Sequence, residues 1–284
     1  MKVSSNKPLF TVSFRRRHIL MIVLILIAAG FGYSIYFRMF MTLPQQAINT
    51  IAELSQSHKN QKIIVFAPHC DDETLGAGGL IDRATKEGSQ VKVVIVTDCN
   101  KHKIGAIRKQ ESLSALSTLG VLQSDVSFLN FPEGQDKDKH TDQENIQMKA
   151  DLQKEIDDFK PTLIVAPHPR DTHADHKMIG TLLQQIAADK NLNNQIIYYL
   201  IHYNFLKYPS PAGLKPDAYL LPPARLISFT DSWYKLSLTS DEENQKEEAI
   251  LKYKSQLKMT NPILHRVLLD FVRRNELFMT NGAN

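Results

Sequence analysis

Two cysteines in 284 residues are far too few for a fold stapled by disulfides. Cys70 and Cys99 each fall just past the end of an expected strand, so they can meet at one edge of a sheet; a bridge and two free thiols both fit the sequence. Acid is missing from residues 1–40, which carry six Lys/Arg (Lys2, Lys7, Arg15, Arg16, Arg17 and Arg38). Setting those six aside from the 34 bases leaves 28 against 30 acids, or −2, so the formal +4 belongs to the N-terminus. The remainder lacks the basic field that nucleic-acid binding draws on. Internal repeats and low-complexity tracts are also missing, as is a dinucleotide fingerprint: the GAGG run at Gly76 has the wrong spacing, and two acids just before it would repel a pyrophosphate.

What is present begins with nineteen uncharged residues, Ile19 to Phe37. That is the length a helix needs to cross a hydrocarbon core of roughly 30 Å. Three arginines precede it and only Arg38 follows, which puts the N-terminus in the cytoplasm and the rest outside. The run is longer than a usual signal-peptide core, and no clear small-x-small cleavage site follows before Thr42, so an uncleaved anchor is expected rather than a signal peptide. The chain then divides into a basic cytoplasmic segment (1–18), a transmembrane anchor (19–37), a connector (38–60) with a short helix at 46–57, and a globular domain (61–284).

Within that domain, apolar strands at 63–67, 91–97, 126–129 and 162–166 alternate with helical stretches at 74–88, 104–119, 143–159 and 178–188. The alternation predicts an α/β fold: a doubly wound, mostly parallel, Rossmann-like sheet with helices on both faces. Further strands are expected at 196–203 and 226–229, a proline-containing loop at 209–223, and helices at 241–255 (Ser240 as N-cap) and 263–274. Ligands of such sheets collect beyond the carboxyl ends of the strands.

Two clusters stand at such ends: HCDDE, from His69 to Glu73, and HPRDTHADH, from His168 to His176. A catalytic zinc takes three protein ligands of N or O type and an open position. His69 and Asp72 supply two from one turn, and His176 the third from the other. Asp71 is then placed to take a proton from the attacking water, and His173 to donate to the leaving group or stabilise an oxyanion. Asp175 would orient His173, and His168 reads either as a histidine in the outer surroundings of the site or as a structural one. One such motif alone is more often a surface histidine pair; two at independent strand ends point to an ion, because clustered charges need a partner.

PHCDDETLGAGG (68–79) together with HPRDTHADH (168–176) resembles the PIG-L/LmbE-like family of zinc-dependent N-acetylglucosaminyl deacetylases, whose first motif is written (A/P)HPDDE and whose second ends in HxDH. The likeness extends through RKQESLSALSTLGV (108–121), FPEG (131–134), KYKSQ (252–256) and RRNELF (273–278). It implies His69, Asp72 and His176 as zinc ligands, Asp71 as general base and His173 as the residue polarising the acetyl oxygen or protonating the amine. It also implies sugar contacts at Arg108 and Glu133. Two departures stand out: Cys70 takes the place of the usual proline, and TDCNKH (97–102) replaces a T-x-G-E-like segment. The resulting expectation is a membrane-anchored deacetylase of an N-acetylated amino sugar, using Zn2+ or another divalent transition metal. A deacetylase of a small soluble GlcNAc conjugate and a glycan-binding protein with an inactive site are the alternatives.

Overall fold

The computed structural model describes residues 15–40, 43–54, 59–134, 141–203, 208, 218–227, 231–259 and 268–281. They fall into two units, Met1–Thr42 and Leu43–Asn284. In the first, helix α1 (Arg16–Phe40) contains the whole uncharged stretch, and its apolar side chains from Ile19 to Ile27 are exposed. By length and composition it can cross a membrane.

The second unit opens with a 3-10 turn (Gln45–Thr50) and a two-residue strand, β1 (Ala52–Glu53), where a helix at 46–57 was expected. Residues read as connector thus join the sheet: β1 pairs in parallel with β7 (Asp231–Ser237), and the Glu53 carboxylate accepts from the Ser237 backbone N–H and hydroxyl. Between them in sequence come β2 (Lys62–Ala67), α2 (Asp72–Lys86), β3 (Gln90–Thr97), α3 (Gly105–Thr118), β4 (Val126–Phe131), α4 (Asp142–Phe159), β5 (Leu163–Pro167), α5 (Ala174–Asp189) and β6 (Ile196–Tyr199). After β7 follow α6 (Ser240–Ile250), α7 (Lys254–Met259) and β8 (Asn275–Asn281). Thr141 and Thr239 start α4 and α6 with capping boxes closed by Glu144 and Glu242, so the N-cap of α6 is Thr239 and not Ser240.

The eight strands are ordered β1-β7-β8-β6-β5-β2-β3-β4, parallel except where β8 runs against β6 and β7. From β2 the chain steps outward through β3 and β4, then returns to β5 on the other side of β2. That reversal leaves a crevice beyond the carboxyl ends of β2 and β5, the place where open α/β sheets bind ligands. Ile63–Ala67, Val93–Val96 and Ile164–Ala166 are fully buried, so both sheet faces are covered there.

Several C-terminal expectations are corrected. Ala224–Leu226 is a 3-10 turn rather than the start of a strand, and residues 228–229 lie outside the described set. The helix expected at 241–255 breaks after Ile250 and resumes as α7. Of the helix expected at 263–274, only the turn-like end from Leu268 is described, and it feeds β8. The strand expected at 196–203 ends at Tyr199, and 218–223 of the proline-containing loop carry neither helix nor strand.

Candidate metal centre

His69 leaves the end of β2 on a four-residue turn that becomes α2 at Asp72, while His176 sits in the first turn of α5. α5 can lie against the end of β5 because Gly180 has no side chain: a Cβ there would stand 2.4 Å from the Pro167 carbonyl oxygen. The result is a tight triangle. Asp72 Oδ2 lies 3.1 Å from His69 Nδ1 and 3.0 Å from His176 Nε2, and the two ring nitrogens are 3.2 Å apart. All three residues are buried. Zinc bonds of about 2.0–2.1 Å in a tetrahedron need donors roughly 3.3 Å apart, so this set of two imidazoles and one carboxylate fits such an ion. His173 adds a third ring beside His69 and His176.

The surrounding groups fix those donors. Asp171 Oδ1 accepts the His173 backbone N–H at 2.8 Å, and its Oδ2 lies 3.3 Å from His176 Nδ1 and accepts from the backbones of Ile201 and His202. Asp175 Oδ2, expected to serve His173, stands 2.9 Å from His69 Nε2 and accepts from the Gly134 N–H at 3.1 Å. Burial disfavours charge on His69, but its hydrogen bonds to Asp175 and Asp72 win and raise it to about 9. Asp72 is held well below the usual carboxylate range, against its own burial, by His176 and His69.

Asp71 does not bind the triangle. It occupies φ 130°, a region costly for a side-chain-bearing residue. Burial pushes its carboxyl up to about 7, with the Arg108 guanidinium 3.6 Å away pulling part of the way back. Arg108, expected at the sugar, is itself buried: it donates to the carbonyls of Cys70 (3.1 Å) and Cys99 (3.4 Å) and pairs with Glu133 at 3.1 Å. Glu133 also reaches to 4.0 Å from His69 Nε2. Half-buried His173 is pushed down to about 3, first by burial and then by the neighbouring His69, His176 and His202.

Residues 64–187 match the family model PIG-L, GlcNAc-PI de-N-acetylase. The match spans less than half of the chain, so it marks this segment as similar to the PIG-L family. All eight expected site residues, from His69 to His176, lie within it. A Bacillus subtilis protein named as a probable N-acetyl-alpha-D-glucosaminyl L-malate deacetylase 2 is 30% identical over 134 residues, a match covering 42% of this chain and 58% of that relative. The chain therefore spans little more than half the length of this curated relative. Among solved structures, N,N'-diacetylchitobiose deacetylase from Pyrococcus horikoshii superposes with TM-score 0.56 at 21% identity, covering 85% of this chain and 94% of that one. A zinc-inhibited form of the teicoplanin deacetylase Orf2 gives 0.57 at 18%, covering 78% and 99%. At these identities the structures speak for the fold.

Two residues beside the triangle were not expected from the sequence: Asp171, inside the matched segment, and His202, 15 residues past its end. Asp171 carries no ligand spacing of its own and acts by gathering the strand end after β6 onto His176. His202 completes a second group of possible metal donors with Asp72 and His176. No local pattern marks it, since it is 26 residues from His176 in sequence. His168 is a structural residue, stacked on Trp233 and bonded to Met279 Sδ and the Arg170 N–H.

Proposed function

We propose that this protein is a membrane-anchored, metal-dependent deacetylase that removes the N-acetyl group from a GlcNAc-containing envelope glycan or lipid-linked saccharide. The observation that carries the reading is the His69–Asp72–His176 triangle with an uncoordinated, raised-pKa Asp71 beside it, inside a segment similar to the PIG-L family. His69, Asp72 and His176 would hold zinc, or another divalent transition metal. When bound, it supplies a Lewis acid that polarises the amide and acidifies water to a pKa of about 7.

The protein's own groups then divide the work. Asp71 accepts the proton of the water whose oxygen attacks the acetyl carbon. As the C–N bond breaks, the same carboxyl returns that proton to the nitrogen, giving acetate and a free amine. His173 is neutral at working pH, so it acts as an N–H donor to the oxyanion rather than as an acid. Asp175 and Asp171 hold His69 and His176 in orientation, and Arg108 holds Asp71.

Outward facing is supported by the arginine asymmetry around α1 and by a buried Cys70–Cys99 bridge, a bond that oxidising compartments maintain. The name of the Bacillus subtilis relative favours a second reading, a small GlcNAc conjugate as substrate. Incubating the full chain with GlcNAc, chitooligosaccharides, a GlcNAc-inositol conjugate, a GlcNAc-malate conjugate and an envelope glycan fraction separates the two. Acetate from the malate conjugate alone contradicts the envelope assignment.

A further inference from the structure

The two cysteines sit at the two places where this chain departs from the motifs it resembles, and the structure joins them. Cys70 lies between the metal-binding His69 and Asp71; Cys99 lies two residues beyond β3. Both are fully buried. The ladder between β2 and β3 is already in register from Lys62↔Gln90 to Ala67↔Ile95, and the Thr97 N–H reaches the Pro68 carbonyl. The bridge is therefore not needed to pair the strands. It acts just beyond the last rung, where the ladder no longer controls the backbone.

That segment is strained on both sides of the bridge: Asp71 has φ 130° and Cys99 has φ 57°, both left-handed positions that side-chain-bearing residues avoid. Such conformations persist only where their surroundings over-determine them. Here the surroundings converge on the cystine. The Cys70 N–H donates to Cys99 Sγ, and one guanidinium, that of Arg108, donates to both cysteine carbonyls. Glu73 holds the Asp71 N–H from the other side.

We propose that the Cys70–Cys99 disulfide is a positioning element of the metal centre, a covalent clamp that holds the turn carrying His69, Asp71 and Asp72 in its strained form. This rests on the reading of that turn as the metal-binding, base-bearing turn. Without the bond, only non-covalent contacts oppose relaxation of Asp71, those of Arg108 and Glu73 and the N–H groups of Thr74 and Leu75 on its carbonyl, and the placement of His69 against Asp72 loosens.

The test uses the full chain in detergent, with zinc affinity measured by chelator competition and acetate release measured in parallel. The Cys70→Ala/Cys99→Ala variant is expected to keep its far-UV spectrum, bind zinc about 10–100-fold more weakly and lose kcat by a similar factor at unchanged KM, the size typical of losing a ligand-orienting group. Cys70→Pro/Cys99→Ala, which substitutes a ring of fixed φ for the bond, is expected to recover most of the zinc affinity. If the alanine pair fails to fold, wild-type zinc affinity in the proline variant supports the clamp, and failure of both shows a general staple instead and overturns it. Wild-type zinc affinity in the alanine pair also overturns it. A wild type that binds zinc but releases no acetate defeats the deacetylase reading and leaves the affinity comparison standing.

Discussion

Glu73 Oε2 accepts the backbone N–H of Asp71 at 3.1 Å, so one carboxylate of the turn holds the peptide of another in its left-handed position. The other oxygen of Glu73 takes the hydroxyls of Ser112 and Tyr253, which ties α3 and the segment after α6 to the same point. Glu73→Ala removes the acceptor of the Asp71 N–H and of the Ser112 hydroxyl, while Tyr253 keeps the Thr74 hydroxyl at 2.8 Å; each donor left unpaired costs about 1–3 kcal/mol. The expected outcome is a clear loss of stability in urea titration together with a fall in kcat. Glu73→Gln, which retains one acceptor oxygen, should fall between the alanine variant and wild type. Equal stability of all three proteins would remove Glu73 from the account.

Asp71→Asn is expected to keep the metal and lose about 10²–10⁴-fold in kcat, the range of general-base catalysis. The same change should stabilise the metal-free protein at alkaline pH. Asp71 titrates at about 7 in the fold and near 3.9 in unfolded chains. The folded state thus binds more protons between those values; the contribution to stability is full below about pH 4 and is lost as pH rises to about 7. Thermal melts at pH 4 and pH 8 check this: the variant should gain on wild type only at pH 8, by about 2–4 °C per kcal/mol recovered.

Metal uptake should tighten with pH. In the metal-free protein His69 is held protonated up to about 9, so binding an ion must displace that proton. Zinc titrations in two buffers of different ionisation enthalpy should show proton release at pH 7. His176→Ala is expected to abolish both binding and turnover, since it removes one of three donors.

Lys246 and Glu276 form a buried pair beneath a kink in α2 at Ala77, with Lys246 Nζ on the Leu75 carbonyl and Glu276 on the N–H groups of Gly79 and Leu80. Breaking one side strands the other charge. Lys246→Met should cost about 3–5 kcal/mol, or roughly 6–20 °C in Tm. An unchanged Tm would show that the pair does not support the kinked helix.

The proximity of His69, Asp72 and His176, the three residues proposed as ligands, was legible because each falls just past a strand end or in a first helical turn, where local pattern decides position. What escaped was set by chain segments distant in sequence. β1 has only two residues and exists through its pairing with β7; β8 is NELFMTN, which begins just past the helix expected at 263–274. Whether Cys70 meets Cys99 depends on the β2–β3 register, and the burial of Arg108 depends on how α3 docks under the turn. The stretch DSWYKLS forms β7 although no strand was expected there; its apolar members Trp233 and Leu236 are buried while the residues between are more exposed.

The most direct test of the central claim is stoichiometry. The full chain, loaded with zinc and supplied with a GlcNAc-containing glycan fraction, is assayed for acetate and for new primary amine, before and after chelation and again after zinc is restored. A metal-dependent deacetylase gives one amine per acetate, loss of both with the chelator, recovery with zinc, and neither product from zinc-loaded Asp71→Asn above about one hundredth of the wild-type rate. Acetate released at the wild-type rate after the metal is stripped, or by Asp71→Asn, would contradict it.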